Sequence, residues 1–596
     1  MSAHKRAYGL LAAIMLAAIA GHALQIALFS HSLPFADQWD SEGYVLFRPW
    51  IENNLTLQTL FSTHNEHRIV WKRLFDLLLF EINGRHWDNR VIALANTVFY
   101  AGAMVVLGKA ALNAHVALAR RLVIALCLLL PFATYAYENT LWGFQSPFYQ
   151  LALTGLLSLH LCAAPRLEPR SALLAIVLSV SALFTVASGF FVGPVCAVLV
   201  ATTHAETGVR VRWKYALCAL LLGIGIAGYL IMPQLDYHAP LRAQSLPELV
   251  TATLVLLSWP VPHLPLVWLP FLFWLLFSAV YRESPSRADR FFAAVALWTG
   301  IQAAALAYGR GHALTTVPSR YTDVLVFGLV ANAYFLGSLL RHPREALRPR
   351  LPLRIILIGA TLVAIGYAGL EMARSAIVSH HKQALWRANH ESTAALLAGA
   401  PLAEDNFALA YPSGTKLTGL FLAEPSMRRM LGIVGNTLPP DCAVPATANL
   451  SRIACTLTGA RPELPALRRE TLPLVPTYGL QCSVDLIAGL PASGAVDAAT
   501  PVPLRFAGWA GPGATDLRGL PRRITLRLVS DDGAYAIDSR LRGPRPDVAA
   551  AFGNPRFAWS GFDILVSSRG LAPASYHIEL IEEGQLCATG QFLQVR

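Results

Sequence analysis

Long apolar runs alternate with short polar connectors over the first two thirds of this chain, and the length of the runs predicts helices that cross a bilayer. A span needs about 17–25 apolar residues. Runs of that order lie near 8–30, 91–111, 121–136, 148–164, 214–232, 262–281, 291–308, 321–340 and 354–371. The stretch from Ser171 to Val200 is too long for one span. Ser188-Gly189 and Gly193-Pro194 interrupt it, which predicts two short spans, 171–186 and 189–203. The expected total is about eleven. The first connector, 31–90, is too long for a plain loop. Within it Tyr44–Ile51 and Ile69–Ile82 read as helices. In the second, Ile69, Val70, Leu74, Leu77, Leu78 and Phe80 alternate with Lys72, Arg73, Asp76 and Glu81. That pattern suits a helix in the membrane interface plane, or a helix packed into the loop.

The pattern changes after residue 371. Arg374–Leu397 reads as a helical stalk, and from Leu402 onward Pro, Gly and Thr become frequent. Arg523–Val529, Ala534–Ser539 and Ser575–Ile581 read as strands by length and alternation, with Asp531-Asp532-Gly533 as a turn. The expected fold class is a polytopic α-helical membrane protein with a C-terminal α/β plus β-sandwich domain. The expected division is a membrane module over 1–371, a stalk and mixed α/β segment over 372–479, and a β-sandwich over 480–596.

Composition agrees. Of 596 residues 55% are hydrophobic and 14% charged, with a mean hydropathy of +0.46. A soluble protein carries roughly 25% charged residues. The net charge of +12 would suit nucleic acid in a soluble protein, but here the basic residues follow topology. With the N-terminus in the cytoplasm, Lys5/Arg6, Arg120/Arg121, Arg166/Arg170, Arg210/Arg212/Lys214, Arg282/Arg287/Arg290 and Arg341/Arg344/Arg348/Arg350/Arg354 all fall inside. Asp37, Asp40, Glu42, Glu66, Glu138, Asp236 and the whole C-terminal part fall outside. The first run is too long for a cleaved signal peptide and reads as a retained anchor. Cys127, Cys162, Cys196 and Cys218 lie in spans. Cys442, Cys455, Cys482 and Cys587 lie in the tail, where an even number suggests two disulfides. Of the three pairings, Cys442–Cys455 closing a short loop and Cys482–Cys587 tying a domain is preferred.

Candidate chemistry gathers in the expected external loops. Pro34-Phe35-Ala36-Asp37-Gln38-Trp39-Asp40-Ser41-Glu42 places three carboxylates where the first span ends. A carboxylate there can act as a base toward a lipid-linked substrate; its structural alternative is a solvated helix start with Asp as a cap. His64-Asn65-Glu66-His67-Arg68 offers a base, an amide, a carboxylate and a guanidinium. His64 and His67 have a metal-ligating spacing if helical, but no third ligand is evident. Arg68, with Lys72 and Arg73, could neutralise a phosphate, or snorkel as interfacial cations. Arg310 and His312, then Arg320, Tyr321 and Asp323, place two arginines at external span ends, against the positive-inside trend. Glu138, Trp142 and Gln145 lie in one aromatic loop, and Trp259 and His263 in another. Each suits an interfacial belt or sugar stacking. In the tail, Arg545, Asp547, Trp559 and Phe562 stand out. No nucleophile motif, haem site or phosphate-cradling glycine loop is present, so group transfer outside the cytoplasm would need a donor that crosses the bilayer.

Together these features resemble the GT-C membrane glycosyltransferases that use polyprenyl-phosphate sugars, a class that includes protein O-mannosyltransferases, the lipid A aminoarabinose transferase and mycobacterial arabinofuranosyltransferases. The resemblance covers about 1–371. It rests on a long first external loop opening with an acidic motif, Asp37-Gln38-Trp39-Asp40, on His64-Asn65-Glu66-His67-Arg68, on Glu138…Trp142-Gly143-Phe144-Gln145, and on Ser319-Arg320-Tyr321. The tail looks like the β-sandwich or carbohydrate-binding domains of some relatives. The resemblance implies a GT-C fold in a bacterial inner membrane, with a periplasmic tail. It also implies inverting transfer of a sugar from a polyprenyl phosphate to a glycan, lipid-linked glycan or protein. The base would map onto Asp37 or Asp40, with Asp37 the preferred of the two, although neither Asp37-Gln38 nor Asp40-Ser41 reproduces the Asp-Glu pair of the mannosyl- and aminoarabinosyltransferases. Glu42, His64, Glu66, His67, Arg68, Glu138, Trp142, Gln145, Trp259, His263, Arg310, Arg320 and Tyr321 would contact substrate. Arg310, Arg320 and Arg68 would hold the departing phosphate, and no metal or other cofactor is required. Two rival readings are a glycan-export or lipid-flipping component, and an O-antigen-type ligase or polymerase that uses a diphosphate lipid.

Overall fold

In a computed structural model of the chain, residues 3–202, 209–233, 235–281, 284–342, 348–399, 410–459, 464–470, 477–487, 490–492, 495–498, 503–511, 522–540, 542–568 and 570–595 are described. Arg282 and Arg344, two of the cytoplasmic cations expected above, lie outside them. The chain forms two compact units. The first holds Met1–Leu28, Asn53–Leu79 and Arg90–Met372; the second holds Phe29–Glu52, Phe80–Asn89 and Ala373–Arg596.

The first unit is a helix bundle. Among the described residues six helices are long and apolar enough to cross a membrane: α1 (Ala3–Phe29), α3 (Asn89–Leu112), α8 (Val209–Leu230), α11 (Arg287–Arg310), α12 (Ser319–Leu340) and α13 (Leu351–Leu397). The other five expected spans coincide with shorter helices: α4 (Ala117–Leu129), α5 (Ser146–Cys162), α6 (Pro169–Ala182), α7 (Val192–Ala201) and α10 (Leu269–Val280). Their brevity has local causes. Pro131 turns the end of α4 into a 3-10 turn, Leu130–Phe132, and the 3-10 turn Ala187–Phe191 precedes α7. One helix, α9 (Leu246–Ser258), lies in a stretch that reads as a connector. The Ser245 hydroxyl caps it by accepting from the Glu248 N–H at 3.3 Å.

The bundle core runs through Ile14 and Ala18, Met104 and Leu107, Val123, Leu156 and Leu159, Val195, Trp298 and Phe335. Small residues let the helices close up: a Cβ on Gly193 of α7 would stand 2.4 Å from the Leu221 carbonyl of α8. Helix α2 (Val70–Ile82), in the first connector, turns Trp71, Leu74, Leu78 and Ile82 outward and buries Lys72, Arg73 and Asp76. Outward apolar and inward charged positions suit a helix with lipid on its outer side.

Short helices leave unpaired carbonyls, and one buried side chain gathers several. Arg290 of α11 donates to Ala163 O at 3.1 Å, Leu199 O at 2.7 Å, and Thr202 O and Oγ1 at 3.1 and 3.2 Å. It thereby closes the C-termini of both α5 and α7, where helix dipoles favour a cation.

The second unit includes the C-terminal part of α13 and a two-layered β region with strands β1 (Arg468–Arg469), β2 (Thr477–Tyr478), β3 (Cys482–Ile487), β4 (Leu490–Pro491), β5 (Ala495–Ala498), β6 (Pro503–Ala510), β7 (Ile524–Ser530), β8 (Gly533–Ser539), β9 (Arg542–Gly543), β10 (Gly561–Ser567), β11 (Ala574–Glu582) and β12 (Gln585–Val595). One sheet has the order β1-β8-β7-β11-β12-β2, with β5 also on β12; the other runs β4-β3-β6-β10-β9. The expected strands and turn are present: β7 and β8 pair antiparallel from Ile524↔Ser539 to Ser530↔Gly533. Alternate residues of the two sheets, among them Val484, Phe506, Ile564, Leu526, Ile578 and Leu593, meet in one core. Both preferred disulfides are formed, Cys442–Cys455 and Cys482–Cys587. The second joins β3 to β12 and so ties one sheet to the other.

Two stability predictions follow from this packing. Replacing Arg290 by Met keeps the volume but strands the carbonyls of α5 and α7; at about 1–3 kcal/mol for each buried unpaired group, a clear drop in the detergent-phase melting temperature is expected, with Arg290→Lys recovering part of it. The double substitution Cys482→Ser, Cys587→Ser, which opens a loop of 105 residues, should cost about 2–5 kcal/mol, read as a lower unfolding midpoint of the β region.

Candidate functional site

Asp37, Asp40 and Glu42 belong to the second unit. The chain enters their turn through Ala36, whose φ of 45° is held by a hydrogen bond from its N–H to Ala410 O at 2.9 Å. The segment then winds as a π-helix, Trp39–Phe47. Such widened turns are uncommon and concentrate at functional positions. Trp39 is fully buried and donates to Pro34 O at 2.9 Å. Gly43 is required because a Cβ would stand 2.7 Å from the Trp87 ring and from Met427 Cε.

The three carboxylates differ in what they face. Glu42 is buried and its Oε2 accepts from Gln38 Nε2 at 2.9 Å and from Trp87 Nε1 at 3.0 Å. Its work is internal: it braces the turn. Asp37 and Asp40 are half-exposed. Tyr411 donates to the Asp40 carboxylate; burial, that hydrogen bond and the charges of Asp40 and Asp37 push the phenol up to about 12. The turn is thus braced from behind, and Asp37 and Asp40 lie on its outer side.

The remaining candidates lie in the first unit. His64-Asn65-Glu66-His67 is a tight turn, closed by His64 N–H to His67 O at 2.8 Å and His67 N–H to His64 O at 3.0 Å, with Asn65 at φ 50°. Asn tolerates that conformation. Tyr237 donates to Asn65 Oδ1 at 2.8 Å, and Arg68 donates to Phe61 O at 3.1 Å and Ile231 O at 3.2 Å. Arg68, Lys72 and Arg73, expected to meet a phosphate, are engaged internally: Lys72 pairs with Asp76, and Arg73 donates to the carbonyls of Thr59, Leu60 and Ser62.

Arg310 is brought to this turn from the end of α11. Its Nη2 donates to Glu66 Oε1 at 2.7 Å, and His238 Nδ1 lies 2.9 Å from Glu66 Oε2. His67 Nε2 is 3.9 Å from Glu66 Oε1. His67 Nδ1 accepts from the Ala187 N–H at 3.0 Å, so the ring proton sits on Nε2, toward Glu66. Burial pushes the Glu66 carboxyl up, but the charges of His67, Arg310 and His238 and a backbone hydrogen bond outweigh it and hold the group below its ordinary value. Burial drives the His67 imidazole down to about 4, against the pull of Glu66. A carboxylate inside a ring of one guanidinium and two imidazoles is an arrangement suited to anion exchange.

Glu138 and Arg320 also meet, though through the backbone. Glu138 Oε2 accepts from Ser319 Oγ at 2.7 Å and from the Arg320 N–H at 3.1 Å, capping the start of α12. The Arg320 guanidinium lies over the Tyr321 ring at 5.3 Å. Asn139 donates to Arg320 O and to Asp323 Oδ2. Trp142 packs beside Phe144 and Gln145 is buried. Trp259 packs with Tyr321 in one apolar cluster, and His263 is exposed.

Two partners escaped the sequence reading. His238 follows Asp236 and Tyr237 in a loop whose only visible signal was its acid, and Tyr411 stands in a Pro- and Gly-rich stretch without periodicity. Among the described residues no three His, Cys, Asp or Glu side chains converge as a metal site. Comparison with family models, with curated proteins and with solved structures finds no match to this chain.

The His67 shift sets a pH dependence. Its folded value, about 4, is below the ordinary 6.5, so the unfolded chain takes up the proton first. Stability is therefore full above pH 6.5 and falls as the pH drops toward 4. Glu66, also held low, adds a loss only below its ordinary 4.5. Melting temperatures should decline between pH 6.5 and 4 in the wild type and decline less in His67→Gln.

Proposed function

We propose that this protein is an inverting membrane glycosyltransferase of the GT-C type, with about eleven spans, set in a bacterial inner membrane with a cytoplasmic N-terminus and a periplasmic C-terminal part. It takes a sugar from a polyprenyl phosphate and passes it to a glycan, lipid-linked glycan or protein hydroxyl. One observation carries the reading: the acidic turn presents Asp37 and Asp40 to solvent while Gln38, Trp39, Glu42 and Trp87 brace it from behind. A loop that only needed to be soluble would not require a buried carboxylate and two indoles beneath it.

In this scheme one of the two aspartates removes the proton from the acceptor hydroxyl as its oxygen attacks the anomeric carbon. The bond from that carbon to the phosphate oxygen breaks, and negative charge gathers on the phosphate. Fixed guanidinium and imidazole donors are the kind of group suited to receive that charge. A carboxylate held in one orientation, as Tyr411 holds Asp40, is a well-placed base. The β region supports a glycan-binding role: Trp509 and Phe552 lie 5.4 Å apart and Phe552 and Trp559 are exposed, the kind of ring surface on which sugars stack.

The test is transfer of labelled sugar from a panel of polyprenyl-phosphate sugars in membranes, with Asp37→Asn and Asp40→Asn at matched expression. Loss of the base should lower transfer by about 10²–10⁴-fold, at whichever of the two aspartates holds that role. Transfer that survives both substitutions would sink the mechanism.

A further inference from the structure

We propose that Arg310, His238 and His67 form a seat for a phosphate group, and that the Glu66 carboxylate is its internal occupant, displaced when the phosphate arrives. The donors converge from three separate segments: the turn at 64–67, the 3-10 segment Asp236–Leu241 and the end of α11. Glu66 Oε1 accepts from Arg310 at 2.7 Å; its buried Oε2 has no hydrogen-bond partner although His238 Nδ1 stands 2.9 Å away, and His67 Nε2 is 3.9 Å from Oε1. A phosphate offers a third acceptor oxygen and a charge of about −1.5 to −2, so it can satisfy the three donors better than a carboxylate can.

Glu66 is not needed to hold the turn. The backbone pair between His64 and His67, the Tyr237–Asn65 hydrogen bond, the Arg68 bonds to Phe61 O and Ile231 O, and the Ala187–His67 bond already fix it. The pair is also reachable: the Glu66 and Arg310 side chains are 22% and 24% exposed. Water reaches both partners, so the displaced carboxylate can be solvated when another anion takes its place. Naming the anion as the phosphate of a lipid-linked sugar rests on the glycosyltransferase reading; the seat itself does not.

The experiment measures binding by the full-length protein in nanodiscs, wild type against Glu66→Gln. One arm titrates inorganic phosphate; the other includes a long-chain polyprenyl phosphate in the disc. Removing the competing charge should tighten binding by about tenfold or more, and adding Arg310→Gln should abolish the gain. A gain with the lipid assigns the seat to a lipid phosphate; a gain with inorganic phosphate alone assigns it to a soluble phosphate ester. Unchanged or weaker binding in both arms overturns the proposal. If Glu66→Gln does not fold, Glu66→Asp, which draws the charge back by one methylene, replaces it: a gain is again expected and its absence again overturns the seat. If the transferase reading alone is wrong, sugar transfer is absent while the binding gain persists. If the seat alone is wrong, transfer is present without the gain.

Discussion

A backbone group left unpaired in hydrocarbon is costly, and in this chain that constraint decides where charge goes. Many of its apolar helices are short, so free N–H and C=O groups recur along the bundle. Arg290 closes two helix C-termini at once, Arg73 gathers three loop carbonyls, and Glu138 caps the start of α12. Each is a charged side chain whose partners are mainly backbone. With only 14% charged residues in the chain, charges placed on such work are not spare.

That commitment explains which parts of the structure were legible in the sequence. Hydrophobic length located helices at every expected span, because burial in lipid demands length and little else. Alternation and Asp531-Asp532-Gly533 located β7 and β8, and the spacing of the tail cysteines favoured the pairing that forms. Helix ends were less legible. Pro131 shortens α4 by a local effect that mean apolarity averages away, and Pro247 and Glu248 hide α9 although both suit the first turn of a helix. The roles of charges were least legible. Arg68, Arg73 and Arg310 look alike as letters beside apolar runs; what separates them is whether carbonyls or a carboxylate lie within reach, and that depends on contacts far apart in the chain.

The acidic turn shows the same division within six residues. Asp37, Asp40 and Glu42 are equal in charge and adjacent in sequence. The longer Glu42 side chain reaches inward to the Gln38 amide and the Trp87 indole, two neutral donors that satisfy a buried carboxylate without a cation. Glu42 fixes the turn from behind, while the two aspartates keep contact with solvent. A carboxylate that water still reaches can change protonation without leaving a bare charge buried, and a catalytic base must change protonation in every cycle.

The same reasoning separates Arg290 from Arg310, two arginines near opposite ends of one helix. Arg290 is buried against carbonyls at two helix ends, so removing it takes a shared donor from both. Arg310 faces a carboxylate that is partly solvated and redundant for holding its turn. Its electrostatic demand can be met by any anion of suitable size. Charge that has a substitute is the charge available for chemistry, and on that criterion the Glu66 cluster stands apart from Arg290 and Arg73.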